Sequence, residues 1–199
     1  MEIIHEGRES KKCLGVMSYS PDGTLLVIGS HDHLVYLHTA SDGYKCFAKC
    51  DKSTGNITHF DFSTDGGFLR VNSDTFELFF INTVDGSWVP SPATVKDVAW
   101  ATQSCTLAWP VSGIWSSLDE NYIVHSCSDA KNTSAVAVGD NAAQVRIYNY
   151  PILSKEAPNI ILHGHAHEVS NVAFTAQDTH LITTGLQDRT IMTFEILKK

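Results

Sequence analysis

Long apolar runs, clustered positive charge and helical periodicity are all missing from this chain of 199 residues. No stretch approaches the roughly 18 consecutive apolar residues that a membrane-spanning helix needs, so no membrane partner is expected. The opening residues, MEIIHEGRESKKC, lack the basic-then-apolar order of a signal peptide. Lys and Arg number 14 against 22 Asp and Glu, a formal net charge of −8. The densest basic spots are the pairs Lys11-Lys12 and Lys198-Lys199. Nucleic-acid binding needs several phosphates neutralised at once, and so thin a supply of cations excludes it. The averaged field also repels acidic partners, so contact with one has to be local and set by shape.

Catalytic signatures are missing too. Neither Gly-X-Ser-X-Gly nor Gly-X4-Gly-Lys-Ser/Thr occurs, which leaves nucleophile-elbow and P-loop chemistry without a foothold. No catalytic residue, cofactor or metal site is expected, and the chain reads as a non-enzyme. The five cysteines (Cys13, Cys46, Cys50, Cys105, Cys127) are odd in number and irregular in spacing. That argues against a disulfide framework and for a reducing, cytoplasmic setting. The Asn-X-Ser/Thr matches at Asn56 and Asn132 then carry no functional meaning. Cys46 and Cys50 match neither a zinc knuckle nor a redox Cys-X-X-Cys.

What is present is a rhythm. Two aspartates about ten residues apart recur as Asp22/Asp32, Asp65/Asp74, Asp129/Asp140 and Asp178/Asp188, around stretches of period-two alternation that mark strands. The alternation predicts strands over 14–19, 24–29, 34–39 and 44–50, then 57–62, 67–72 and 76–82. It continues over 122–126, 135–139, 144–150 and 159–163, then 168–174, 180–184 and 190–197. The aspartates fall between strands, where a carboxylate accepts the backbone N–H two residues on. Asp32, Asp74, Asp140 and Asp188 are therefore read as structural turn residues. A catalytic constellation is unique, whereas a fold determinant recurs.

The units run over about 14–50, 56–100, 122–163 and 168–197. First aspartates are spaced 43 (22 to 65), 64 (65 to 129) and 49 (129 to 178), against about 40–45 residues for a propeller blade. The long interval carries an insertion of about 20 residues within 86–121. All four tryptophans (Trp88, Trp100, Trp109, Trp115) fall there. They read either as a small cluster packed over a blade edge or as a recognition surface, since tryptophan is enriched at binding hot spots.

One cluster has the look of a metal site. His163, His165 and His167 alternate, and on an extended strand they would share a face, as zinc ligands do. Gly164 in a loop breaks that alternation, and a structural role for His165 is the simpler reading. His31, His33 and His38 form a weaker set around Asp32.

The fourth unit, GHAHEVSNVAFTAQDTHLITTGLQDRTIMTFEI, resembles a WD repeat, with Gly164-His165 opening it and Asp188 in its last turn. The resemblance implies a buried hydrogen-bond chain through His165, Thr184 (or Thr183) and Asp188. Phe194 stands where the repeat carries its tryptophan and cannot donate the final bond. The segment DVAWATQSCTLAWPVSGIW, with ITHFDFS before it and HLITTG after it, is similar to the C-terminal propeller of the echinoderm microtubule-associated-protein-like family, from about Leu14 to Leu197. It implies an all-β WD-repeat β-propeller of about four blades, partial or open as a ring. The implied function is that of a cytoskeletal scaffold whose partners include tubulin or microtubules, within a longer protein. A WD-repeat adaptor of a ciliary or ubiquitin-ligase assembly and a His-cluster metal enzyme are the alternatives. An open run of blades exposes strand edges, so edge-to-edge self-association is expected. Residues 2–5 would supply a strand of a preceding blade or close onto 190–197.

Overall fold

The structure is a computed structural model that describes residues 2–3, 5–115, 121–132 and 134–197. Ile4 of the 2–5 segment, residues 116–120 of the insertion and the Lys198-Lys199 pair lie outside the described residues. Two compact units divide the chain, Met1–Cys105 and Thr106–Lys199.

In the first unit, β1 (Leu14–Tyr19), β2 (Leu25–Ser30), β3 (Val35–Thr39) and β4 (Lys45–Cys50) pair antiparallel in chain order. A second sheet holds β5 (Ile57–Phe62), β6 (Phe68–Ser73) and β7 (Leu78–Asn82). The second unit repeats the plan. Its four-stranded sheet is β8 (Val124–Asp129), β9 (Ala135–Asp140), β10 (Val145–Asn149) and β11 (Asn159–Leu162), and its three-stranded one is β12 (Val169–Phe174), β13 (His180–Gly185) and β14 (Ile191–Glu195). These four antiparallel sheets have the build of WD-repeat propeller blades. Every expected strand is present, 14–19 and 57–62 with the same ends and the others with ends moved by up to three residues. Glu2, Ile3 and His5 lie in no strand.

The repetition extends to a defect. The pairing of each sheet's first two strands slips by one residue at the same place, between Leu14 and Val16, Ile57 and His59, Val124 and Ser126, and Val169 and Asn171. Such a slip adds twist and turns the strand's end away from its partner. In the first and third sheets, the residue one position past the slip is a glycine against which the next sheet packs. A Cβ on Gly29 would lie 2.5 Å from Ile57 Cγ2, and one on Gly139 would lie 2.8 Å from Val169 Cγ1. Both glycines exist because the first strand of the next sheet presses on them. The first unit's core fills that contact with Val27, Leu37, Ile57, Phe60, Leu69 and Val71, the second unit's with Ala137, Val145, Val169, Val172 and Leu181.

The insertion wraps the second sheet. Trp88 bridges Ile81 on the β7 edge, while Trp100 bridges Ser63 just beyond β5 on the opposite edge. Behind Trp100 lies an ion pair, Arg70 to Asp61 at 2.9 Å, with side chains 2% and 0% exposed. Asp61 also accepts Thr102 Oγ1 (2.5 Å) and the backbone N–H groups of Ser104 and Cys105 (2.8 Å each). Arg70 donates to Thr102 O (3.0 Å) and Gln103 Oε1 (2.8 Å), and the Trp100 ring covers its guanidinium at 4.7 Å. Removing one partner of a buried pair leaves the other charge uncompensated. Asp61→Ala is therefore expected to cost about 3–5 kcal/mol of unfolding free energy, read from urea denaturation followed by tryptophan fluorescence. A cost near zero would mean that the network does not hold the insertion.

Candidate functional site

The turns between the second and third strands of the sheets carry the expected aspartates, and register shows that they are not one position repeated. Ser30, Ser73, Asp140 and Gly185 occupy equivalent places, opposite Leu14, Ile57, Val124 and Val169. Counted from that place, Asp32 lies two residues on, Asp74 one, Asp140 none and Asp188 three. What the turns share is a carboxylate whose acceptor sites are filled locally.

Asp32 accepts Tyr36 OH (2.7 Å), Ser10 Oγ (2.8 Å) and Leu34 N–H (3.2 Å). Burial pushes its carboxyl upward, but these bonds outweigh it and hold it at about 2. Burial and the bond to Asp32 push the Tyr36 phenol to about 12. Asp74 leaves its own turn alone and clamps Asn56 through N–H (2.8 Å) and Nδ2 (2.7 Å). The work in that turn falls to Glu77, which accepts Ser53 Oγ (2.7 Å), Ser73 Oγ (2.8 Å) and Thr54 Oγ1 (2.8 Å). Burial opposes ionisation here too, and the three hydroxyls overcome it, leaving the carboxyl at about 2. Sequence reasoning missed Glu77 because two of its three hydroxyl partners, Ser53 and Thr54, lie more than twenty residues upstream. Asp140, fully buried, accepts Ala142 N–H (2.9 Å), Gln144 N–H (3.0 Å) and Tyr122 OH (3.2 Å), with Arg146 Nε at 3.5 Å. Burial, followed by the Asp140 charge, raises the Tyr122 phenol well above its ordinary value.

In the fourth sheet His165 Nδ1 lies 2.9 Å from Asp188 Oδ2 and Nε2 lies 2.8 Å from Thr183 Oγ1. An ionised carboxylate only accepts, so the ring proton sits on Nδ1 and the Thr183 hydroxyl donates to Nε2. Burial works against the Asp188 charge, but Thr190 N–H, His165 and Ala166 N–H hold its carboxyl well below the usual range. The threonine is Thr183, correcting Thr184: strand alternation turns Thr183 fully inward, while Thr184 meets Ser170 at 2.9 Å. Phe194 packs against the core instead of extending the chain. His163 and His167 are exposed while His165 is buried. Among the described residues no three His, Cys, Asp or Glu side chains are placed to hold a metal ion.

Trp88 and Trp100 belong to the first unit, Trp109 and Trp115 to the second. Trp100 is spent on Arg70, and Trp115 Nε1 donates to Thr106 O at 2.8 Å. Two rings face solvent: Trp109, 77% exposed, and Trp88, 43% exposed beneath Lys52 Nζ at 4.2 Å.

The second unit also holds a groove of about 470 Å³ between the turn after β9 and the segments that lead into β12 and β14. Asn141, Ala142 and Ala143 form one side, Ala166, His167, Glu168 and Gln187 the other. Glu168 is held by His125 Nε2 at 3.0 Å and by Gln187 Nε2 at 3.2 Å. The groove offers hydrogen-bonding groups, one imidazole and one carboxylate.

The family model described as the echinoderm microtubule-associated protein second beta-propeller matches residues 1–196. The chain is 35% identical over 206 residues to echinoderm microtubule-associated protein-like 1 of Rattus norvegicus, covering 98% of this chain and 24% of that protein. It is 33% identical to protein-like 4 of Xenopus tropicalis (100% and 22% covered) and 34% identical to protein-like 3 of Homo sapiens (98% and 22%). The chain thus spans about a quarter of the length of the curated relatives it matches. A chain in the crystal structure of the mitotic checkpoint complex aligns over 96% of this chain and 51% of its own length, with a TM-score of 0.54 at 13% identity. That likeness shows the fold alone.

The turn carboxylates make stability sensitive to acid. Asp32 and Glu77 have folded-state values near 2, below ordinary values of 3.8 and 4.5. Their contribution is full above about 4.5 and is lost as pH falls toward 2. The urea midpoint is expected to drop through that window, and Glu77→Gln to flatten the drop while lowering the midpoint at pH 7. An unchanged slope in the variant would show that Glu77 is not an acid-sensitive element.

Proposed function

Because the chain belongs to the echinoderm microtubule-associated protein family as a second β-propeller, we propose that it is a non-enzymatic protein-interaction scaffold tied to microtubules. It does this work in the cytoplasmic cytoskeleton, as part of a larger protein. The observation that carries this reading is the family match across residues 1–196, joined to 33–35% identity with relatives named for microtubule association. Chemistry is consistent with it: the turn carboxylates are consumed by backbone and hydroxyl partners, which suits a frame that presents loops and leaves no free acid–base pair there. No helix among the described residues is long and apolar enough to cross a membrane. The test is co-sedimentation with taxol-stabilised microtubules at low and moderate salt. The protein is expected in the pellet at low salt, with less at moderate salt. Its absence from the pellet even at low salt would overturn direct tubulin binding and favour an adaptor role in another assembly.

Self-association through a strand edge belongs to the same proposal. The β12–β14 sheet has no fourth strand among the described residues, whereas the first and third sheets do. Ile191 on β14 is 74% exposed, so that edge offers unpaired backbone groups beside an apolar side chain. Light scattering is expected to find dimers, and Ile191→Lys to shift them toward monomer. A compact monomer at all concentrations would count against the edge.

A further inference from the structure

We propose that the groove between the β9–β10 turn and the start of β12 is a side-chain pocket for an arginine presented by an extended segment of a partner protein. The proposal uses the scaffold reading only in supposing a protein partner, and it does not require that partner to be tubulin.

Size comes first. About 470 Å³ falls within the range of pockets that bury a small ligand group, and an arginine side chain occupies part of it. The walls are short: Ala142, Ala143 and Ala166 contribute one methyl each. Ala143 sits at φ 62°, a conformation that favours glycine, so its methyl is kept at a position where glycine would be less strained. Long neighbours would have filled the space.

The charge of the lining is one-sided. Glu168 is the one carboxylate among the lining residues, and no Lys or Arg accompanies it. Its oxygens are already oriented, Oε2 by His125 at 3.0 Å and Oε1 by Gln187 at 3.2 Å. Asn141 on the facing wall is fixed as well, accepting Ile123 N–H at 3.1 Å and donating to Asn121 O at 2.6 Å. A carboxylate oxygen has room for more than one donor, so a guanidinium can add to it without displacing His125. Arginine fits better than lysine because its planar fork reaches a carboxylate and neighbouring amide or carbonyl oxygens together. The net charge of −8 draws any cation toward the protein, and the groove decides where it stops.

The probe is N-acetyl-arginine amide, titrated into the full chain labelled with ¹⁵N and followed by amide chemical shifts. Its uncharged isostere, N-acetyl-citrulline amide, serves as control. Saturating shifts are expected at Asn141, Ala142, Ala143, Ala166 and Glu168 with arginine and not with citrulline. Glu168→Gln, which keeps the length and an acceptor oxygen, is expected to weaken binding about five- to tenfold. Glu156→Gln, removing an exposed carboxylate outside the groove, should leave it unchanged. Ala143→Leu, which fills the groove without altering charge, should abolish the shifts and covers the case in which Glu168→Gln perturbs the fold. Shifts spread over the surface, or equal losses with Glu156→Gln and Glu168→Gln, would mean that the cation sees only the averaged field and would overturn the pocket. Microtubule sedimentation is a separate readout, so either reading can fail without the other.

Discussion

A guanidinium and a carboxylate removed from water together stay ionised only if nearly every lone pair and N–H finds a partner, and Asp61 and Arg70 meet that condition with help from the insertion. Asp61 divides its two oxygens among Arg70 Nε, Thr102 Oγ1 and the N–H groups of Ser104 and Cys105. Arg70 donates from Nη2 to both Thr102 O and Gln103 Oε1. The equivalent cross-strand positions of the other sheets hold Ser18 with Val27, Ser128 with Ala137 and Ala173 with Ile182. The ion pair is therefore not part of the repeat. It is what the repeat gains where the chain must return from the β7 edge to the β5 edge. A buried pair of this kind adds little net stability over an apolar pair of equal volume. Its effect is to favour this path, because residues 102–105 so placed supply three of the donors that Asp61 needs.

The same accounting governs the turns, with a looser geometry. Asp32, Glu77, Asp140 and Asp188 reach their donors from different places in the register, so the constraint is satisfaction of the carboxylate and not its sequence position. Rigid turns then hold side chains at their tips. His33, Phe76, Ala143 and Arg189 all have positive φ and stand two residues before the third strand of their sheet. None is glycine, although a side chain there costs on the order of 1 kcal/mol. Strain kept at four turns that glycine would relieve fits a rim that presents side chains to partners.

Strand placement was legible because apolar and polar residues alternate, as in β6, where Leu69 and Val71 join the apolar core and Arg70 and Asn72 lie between and after them in the strand. The His165–Asp188 link was legible only through the resemblance of the fourth unit to a WD repeat. Thr183 against Thr184 was harder, since adjacent hydroxyl residues of equal β-propensity are separated only by which face the strand turns inward. Glu77 was illegible, because nothing near it in sequence shows that Ser53 and Thr54 will fold onto it. Asp61, Arg70 and Gln103 were invisible for the same reason: their meeting depends on a return path fixed by tertiary packing. The tryptophans share one stretch of sequence, but that stretch is divided between two compact units, and Trp100 and Trp115 make structural contacts within them.

Charge narrows what this surface can recognise. A chain of net charge −8 repels acidic segments at long range, and screening weakens that repulsion beyond about 8–10 Å. The groove then adds a short-range preference of the same sign, through a carboxylate already oriented by His125 and Gln187. Both terms select a cationic segment, so a tie to microtubules through this groove would run to a basic stretch of a partner and not to an acidic one. Trp109, exposed on a short 3-10 turn in the same unit, provides apolar contact that neither term supplies. Recognition built this way separates steering, orientation and apolar contact onto different groups.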